Sequence, residues 1–294
     1  MSDLGEEALV GRLIASLPDD ASIVVGAGDD CAVVDLGGEC WQLLKTDCLI
    51  EGVHFLPGTD PAAVGRKAIN RVLSDIAAMG GRPLHGLVTL AVDGERSLAE
   101  LDGWYEGINE SAAEFGCLIV GGETARLNTT GAMFSVAMTG EVLKDRCVTR
   151  SGAQVGDLIV VTGKLGGSYE SGRHLSFTPR LREAQWLARH HRPTAMMDLS
   201  DGLGSDLPRL AKMSGLGFRI DEDSIPCHES VSFESAVRDG EDYELLMTIS
   251  PDVWGSLLKN WNTQFSNTLL TPIGEMTNQT EAMLPRGWEH FHGE

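Results

Sequence analysis

Residues 61–80, PAAVGRKAINRVLSDIAAMG, constrain the fold more than any other stretch of this 294-residue chain. A proline near the start and a glycine at the end bracket a helical pattern. Its apolar stripe of Ile69, Val72, Leu73 and Ile76 must be covered by another layer, and Asp75 stands at the edge of that stripe. Runs suited to strands lie on both sides: SIVVGA, CAVVDL and WQLLKTD before it, HGLVTLAV, CLIV and the alternating MFSVAMTGEV after it. EEALVGRLIASL (6–17) reads as an amphipathic helix ahead of them, and SLAELDGWYEGINESAAEFG as another between HGLVTLAV and CLIV. A boundary is expected in KDRCVTRSGAQVGD, which divides the chain into 1–145 and 146–294 and agrees with a length prior of about two domains. The second half opens with DLIVVTG and a glycine-rich turn, continues through helical PRLREAQWLARHH and SDLPRLAKMSG, and later gives strand-like YELLMTIS. No repeat at a fixed period is present.

Charge narrows the function. A formal net charge of −20 argues against nucleic acid, whose binding rests on neutralising phosphates with lysine and arginine. Small phosphate ligands stay open if divalent cations stand between their charges and the protein's carboxylates. No apolar run approaches the ~18 residues of a membrane span. The acidic start MSDLGEEALV lacks the basic and apolar regions of a signal peptide, so a cytoplasmic protein with no membrane partner is expected. Six scattered cysteines without a C-x-x-C pair read as reduced core thiols.

Acids gather at the ends of apolar elements. AMMDLSDGLGSDL (195–207) places Asp198 and Asp201 three positions apart behind an apolar entry, with Asp206 five further on. Two carboxylates within ~4 Å repel by about 1 to 4 kcal/mol, so something positive is required there. GAGDDCAVV (26–34) turns sharply before Asp29 and Asp30, and KTDCLIEGVHF (45–55) ends a strand-like run with Thr46 and Asp47. Asp75 has a plainer alternative as a helical partner of Arg71. LIVGGETAR (118–126) is expected to bring backbone amides, Glu123 and Thr124 together at a glycine turn after a strand. VVTGKLGGS fails as a Walker A loop, because Leu165 follows the lysine. DGEDYEL (239–245) adds four acids around one tyrosine. Singly, each of these aspartates is more often a cap, turn or surface charge; oxygen-only ligands recurring across both halves point to magnesium rather than zinc.

GDDCAVV, TDCLIEGVHF, LSDIAAMGGRP, GGETAR, TRSGAQVGDLIVVTG, DLSDGLGSDL, GEDYEL and the closing GWEHF, in this order, resemble the thiamine-monophosphate kinases of the aminoimidazole ribonucleotide synthetase superfamily over nearly the whole chain. The resemblance implies an α+β fold of two α/β domains. The N-terminal one carries a mixed sheet that pairs across a homodimer into a barrel, binding ATP and magnesium, and the C-terminal one completes the site. It implies magnesium-dependent transfer of the γ-phosphate of ATP to thiamine monophosphate. Asp30, Asp47, Asp75, Glu123, Asp198 and Asp201 are then the metal carboxylates, helped by the Thr46 oxygen. Gly122, Arg150 and Ser200 contact ATP, with Arg150 also a charge stabiliser, while His54, Glu241 and Trp288 contact thiamine monophosphate. Taken alone, His54 and Trp288 would more often be core residues. No general base is expected, because the acceptor phosphate is mostly dianionic at pH 7.

Three departures stand out. Lys45 occupies the place where the family usually has serine or threonine before TD, Glu123 replaces the aspartate of GGDT, and GGSYESGRHLSFTPRL is a shortened connection. Two rival readings remain: another ATP-using member of the superfamily, and a non-catalytic homologue that binds nucleotide or magnesium. EGVHF, GEDYEL and Trp288 speak against the first.

Overall fold

The computed structural model describes residues 5–279 and 284–288. After α1 (Glu6–Ile14), strands β1 (Ile23–Val25), β2 (Ala32–Val34) and β3 (Cys40–Ile50) form an antiparallel meander that delivers the chain to α2 (Pro61–Ala78). α2 begins where its sequence says it should: Asp60 accepts the Ala63 N–H at 3.1 Å and Pro61 sits in the first turn. It stops at Gly80, whose φ of 71° lets the Gly81 N–H donate to the Ile76 carbonyl at 3.0 Å.

β4 (Arg82–Val92), α3 (Leu98–Glu114), β5 (Leu118–Arg126) and β6 (Ala132–Leu143) complete a six-stranded sheet of order β1-β2-β3-β6-β4-β5. β4 and β5 are parallel, joined by α3 as a crossover, and the remaining pairs are antiparallel. The sheet is therefore mixed, and it does not close into a barrel within one chain. α2 and α3 cover one face in close contact, because a Cβ on Gly65 would lie 1.9 Å from the Trp104 carbonyl oxygen and one on Gly107 1.9 Å from that of Ala62. The other face leaves Leu44, Ile50, Leu87 and the edge residue Leu118 exposed.

Beyond residues 144–157 comes a second sheet, entirely antiparallel, of order β8-β10-β7-β11-β9. Its elements are β7 (Leu158–Thr162), α4 (Ser168–Ser171), α5 (Leu181–His190), β8 (Ala195–Asp198), α6 (Leu203–Met213), β9 (Gly217–Ile220), α7 (Phe233–Arg238), β10 (Leu245–Ile249), α8 (Pro251–Gln264) and β11 (Leu270–Thr277). One apolar cluster runs from Ile76 of α2 and the following Met79 to Val160, Met196, Leu245 and Met247 of this sheet. The two halves thus share a core, and polar residues at its rim face each other across the seam.

One local expectation is corrected. Gly121 and Gly122 do not end a strand; β5 runs through them to Arg126, paired with Val88 to Val92 of β4. Gly122 is glycine because a Cβ there would lie 1.9 Å from the Val88 carbonyl oxygen.

Candidate functional site

α2 organises the site. Lys67, Arg71, Ser74 and Asp75 are spaced to share one side of the helix, and they meet residues from four other segments. Asp30 arrives from the β1–β2 turn, Lys45 and Asp47 from β3, Arg150 from the connection between the sheets, and Asp198 from the end of β8. Asp30, Asp75 and Asp198 are buried, with one carboxylate oxygen of each within 4.8 Å of the others. Each has a different neighbour: Arg150 Nη2 donates to Asp30 Oδ1 at 2.6 Å, Lys45 Nζ to Asp75 Oδ1 at 2.7 Å, and Ser74 Oγ to Asp198 Oδ2 at 2.6 Å.

That leaves Asp30 Oδ2 and Asp198 Oδ1 buried without a hydrogen-bond partner. Burial first, and then the charge of Asp30, pushes the Asp198 carboxyl up to about 7. Burial likewise drives Asp75 well above the carboxylate range against the pull of Lys45. Three convergent acids, two of them with an unsatisfied buried oxygen, suit a hard divalent cation held by oxygen alone. Asp47 lies close enough to raise Asp75 further, and it is paired with Arg71 Nε at 3.0 Å. Arg150 is itself fixed, its backbone N–H donating to Asp29 Oδ2 at 3.1 Å and its Nη1 to the Gly28 carbonyl at 3.3 Å.

One helical turn and more away, fully buried Lys67 forms a second polar centre that the sequence reading missed. Its Nζ donates to the His54 carbonyl at 2.6 Å and to Glu241 Oε2 at 2.7 Å, and lies 2.6 Å from His174 Nδ1. Burial lowers the Lys67 ammonium to about 8, outweighing its attraction to Glu241. Burial would raise Glu241, yet the hydrogen bond from His174 and the charge of Lys67 bring it down to about 2. His54 is buried, and its Nδ1 accepts the Ile50 N–H at 3.0 Å. Tyr169 stacks on His174 at 4.5 Å and Phe177 on Tyr243 at 4.0 Å, so the shortened connection is packed into this centre. A lysine inside the stripe of α2, eight residues before Asp75, was the available signal for it.

Other expected residues lie elsewhere. Side chains alternate along β3, so Thr46 points away from Lys45 and Asp47 to the exposed face of the sheet. Glu123 pairs with Thr89 in β5 and falls on that same outer face, away from Asp75. Asp201 is bound by Arg209, which also reaches Asp206 at 3.0 Å; it stands outside the three-acid cluster. Asp206 accepts the backbone N–H groups of Ser200 and Asp201 at 3.1 and 3.0 Å, and so holds the turn that follows β8. The Ser200 carbonyl accepts the Glu241 N–H at 2.7 Å. The Trp288 backbone N–H donates to the Asp201 carbonyl at 2.9 Å, which pins the indole, half exposed, near this turn.

The glycine-rich turn after β7 is spoken for. Gly166 N–H donates to Asp242 Oδ2 at 2.9 Å and Gly167 N–H to Asp239 Oδ2 at 2.8 Å, which leaves those amides no role as a phosphate cradle. Glu244 accepts from Thr162 Oγ1 at 2.6 Å and from Arg180 Nε at 2.7 Å. DGEDYEL thus contributes Glu241 to the second centre, and Asp242 and Glu244 to the C-terminal framework.

Known proteins point the same way as this geometry. Residues 28–142 match the AIR synthase related protein, N-terminal domain, and residues 154–280 the AIR synthase related protein, C-terminal domain. The chain is 35% identical to a thiamine-monophosphate kinase of Rhodopirellula baltica, covering 91% of this chain and 92% of that protein. It is 33% identical to one of Salmonella typhimurium, covering 98% of each. A solved structure of AaThiL complexed with AMPPCP and TMP superposes with a TM-score of 0.84 at 30% identity, covering 99% of this chain and 98% of that one. A HypE–HypF complex, at 20% identity, 92% and 94% coverage and a TM-score of 0.74, shares the fold alone. This chain belongs to the AIR synthase related family and, within it, to the thiamine-monophosphate kinases, which are enzymes.

Proposed function

We propose that this chain transfers the γ-phosphate of ATP to thiamine monophosphate, giving thiamine diphosphate and ADP by direct in-line transfer. It acts as a cytoplasmic homodimer, with residues 1–145 binding ATP and the partner and 146–294 completing the site. The observation that carries this reading is the cluster of Asp30, Asp75 and Asp198, two of whose buried oxygens lack partners, in a chain resembling a protein solved with AMPPCP and TMP.

Thiamine monophosphate arrives as a nucleophile already, because a phosphate monoester with a second pKa near 6 is mostly dianionic at pH 7. The chain therefore needs no general base, and its task is to position two anions. Magnesium, held by Asp30 and Asp198, with Asp75, Asp47, Asp201, Glu123 and Thr46 as further candidates, would supply the charge screening between phosphates. Arg150 brings a fixed positive charge beside Asp30, pre-placed by its hydrogen bonds to Asp29 and Gly28. Gly122 and Ser200 are the remaining nucleotide contacts. On the acceptor side, ionised Glu241 offers a negative charge to the thiazolium, Trp288 an aromatic face to the same cation, and His54 lines the approach.

Leu44, Ile50, Leu87 and Leu118, apolar and exposed on the outer face of the first sheet, support pairing with a second copy. Thr46 and Glu123 share that face, so the dimer would decide whether they join a site.

An ADP-release assay tests the function. Release is expected to require both magnesium and thiamine monophosphate. ATP consumption with a different acceptor only, or nucleotide binding without turnover under every acceptor, would overturn it in favour of another superfamily activity or a non-catalytic homologue.

A further inference from the structure

Lys45 reaches the carboxylate cluster from β3. Its ammonium donates to Asp75 at 2.7 Å, with its side chain 23% exposed and that of Asp75 10%. Arg150 answers Asp30, and the neutral hydroxyl of Ser74 answers Asp198. Three carboxylates are thus met by two fixed cations, and the fully buried oxygens without partners belong to Asp30 and Asp198. An ammonium beside Asp75 both occupies its lone pair and repels any second cation brought to the same carboxylate.

We propose that Lys45 is a built-in cation of this site, holding Asp75 in place of a divalent ion, so that the substrate-free cluster binds one divalent ion through Asp30 and Asp198 rather than two. The consequence is a site whose ion occupancy is limited by the chain's own sequence. The inference rests on the metal-binding part of the proposed function, and its test uses neither ATP nor acceptor, so the two readings fail separately.

Manganese is titrated into the metal-free protein at physiological salt, with the free ion followed by its electron paramagnetic resonance signal and the fold by near-UV circular dichroism. The wild type is expected to bind one ion per chain tightly, Lys45→Arg one, and Lys45→Met and Lys45→Thr two. Any wild-type count other than one overturns the proposal. So does an unchanged count in both charge-removing variants, or a count of two in Lys45→Arg. If Lys45→Met does not fold, the wild-type count and Lys45→Thr still decide.

Discussion

Asp198 shows what a single side chain is asked to do against its own preference. Its carboxyl titrates near 7 in the fold against an ordinary value of 3.8, because burial and Asp30 both disfavour the anion. The sign follows from linkage: the folded state holds the proton more tightly, so this group's contribution falls as pH rises from about 4 to about 7, by at most about 4 kcal/mol. Asp198→Asn keeps an acceptor for Ser74 and removes the charge. Without divalent ions at pH 8 it should melt several degrees above the wild type in a thermal scan, while turnover is lost. Magnesium should raise the wild-type midpoint more than the variant's. Glu241 behaves in the opposite sense. Its carboxyl is held near 2 rather than 4.5, so it contributes stability that is present above about 4.5 and lost as pH falls toward 2. Glu241→Gln leaves Lys67 buried without its counter-charge and should cost about 3 kcal/mol at pH 7. Urea unfolding followed across pH should then show a flatter acid limb in the variant than in the wild type. Neither effect was legible in the sequence, where Asp198 and Glu241 are two acids among 43.

At the level of elements, the helix over 61–80 was readable because local chemistry writes it: Asp60 as cap, Pro61 in the first turn, Gly80 as the left-handed stop. Most strands were readable for the same reason, their apolar runs being short and bounded. β9, β11 and α8 were not, since GFRI is brief, LTPIGEMT carries a proline and a glycine, and α8 buries little more than Leu257 and Trp261. β5 misled because paired glycines ordinarily punctuate a strand, whereas here Gly122 admits the Val88 carbonyl. The glycines of the α2–α3 contact carry a prediction. Gly65→Ala or Gly107→Ala forces a methyl group into opposing backbone, which cannot give way as a side chain would. Each should destabilise the protein by about 3 kcal/mol in chemical denaturation. Because α2 also carries Lys67, Arg71 and Asp75, activity should fall in the same variants.

For the whole molecule, the decisive feature is a seam between two sheets that share an apolar core while their polar rims converge. The exposed outer face of the first sheet makes a prediction at this scale. Leu87→Lys places a charge in the middle of that face, and light scattering should report a dimer for the wild type and a monomer for the variant, with circular dichroism unchanged. By itself the sequence determined the helices with capping signals and most of the strands, because each rests on residues near one another in the chain. Tertiary structure alone decided which acids meet. Asp30, Asp75 and Asp198 come together, while strand alternation turns Thr46 and Glu123 outward and Arg209 holds Asp201 aside. It also decided that Lys45 would meet Asp75 and Lys67 would meet Glu241, since the distance between charges far apart in sequence is set by packing, and no local pattern encodes it.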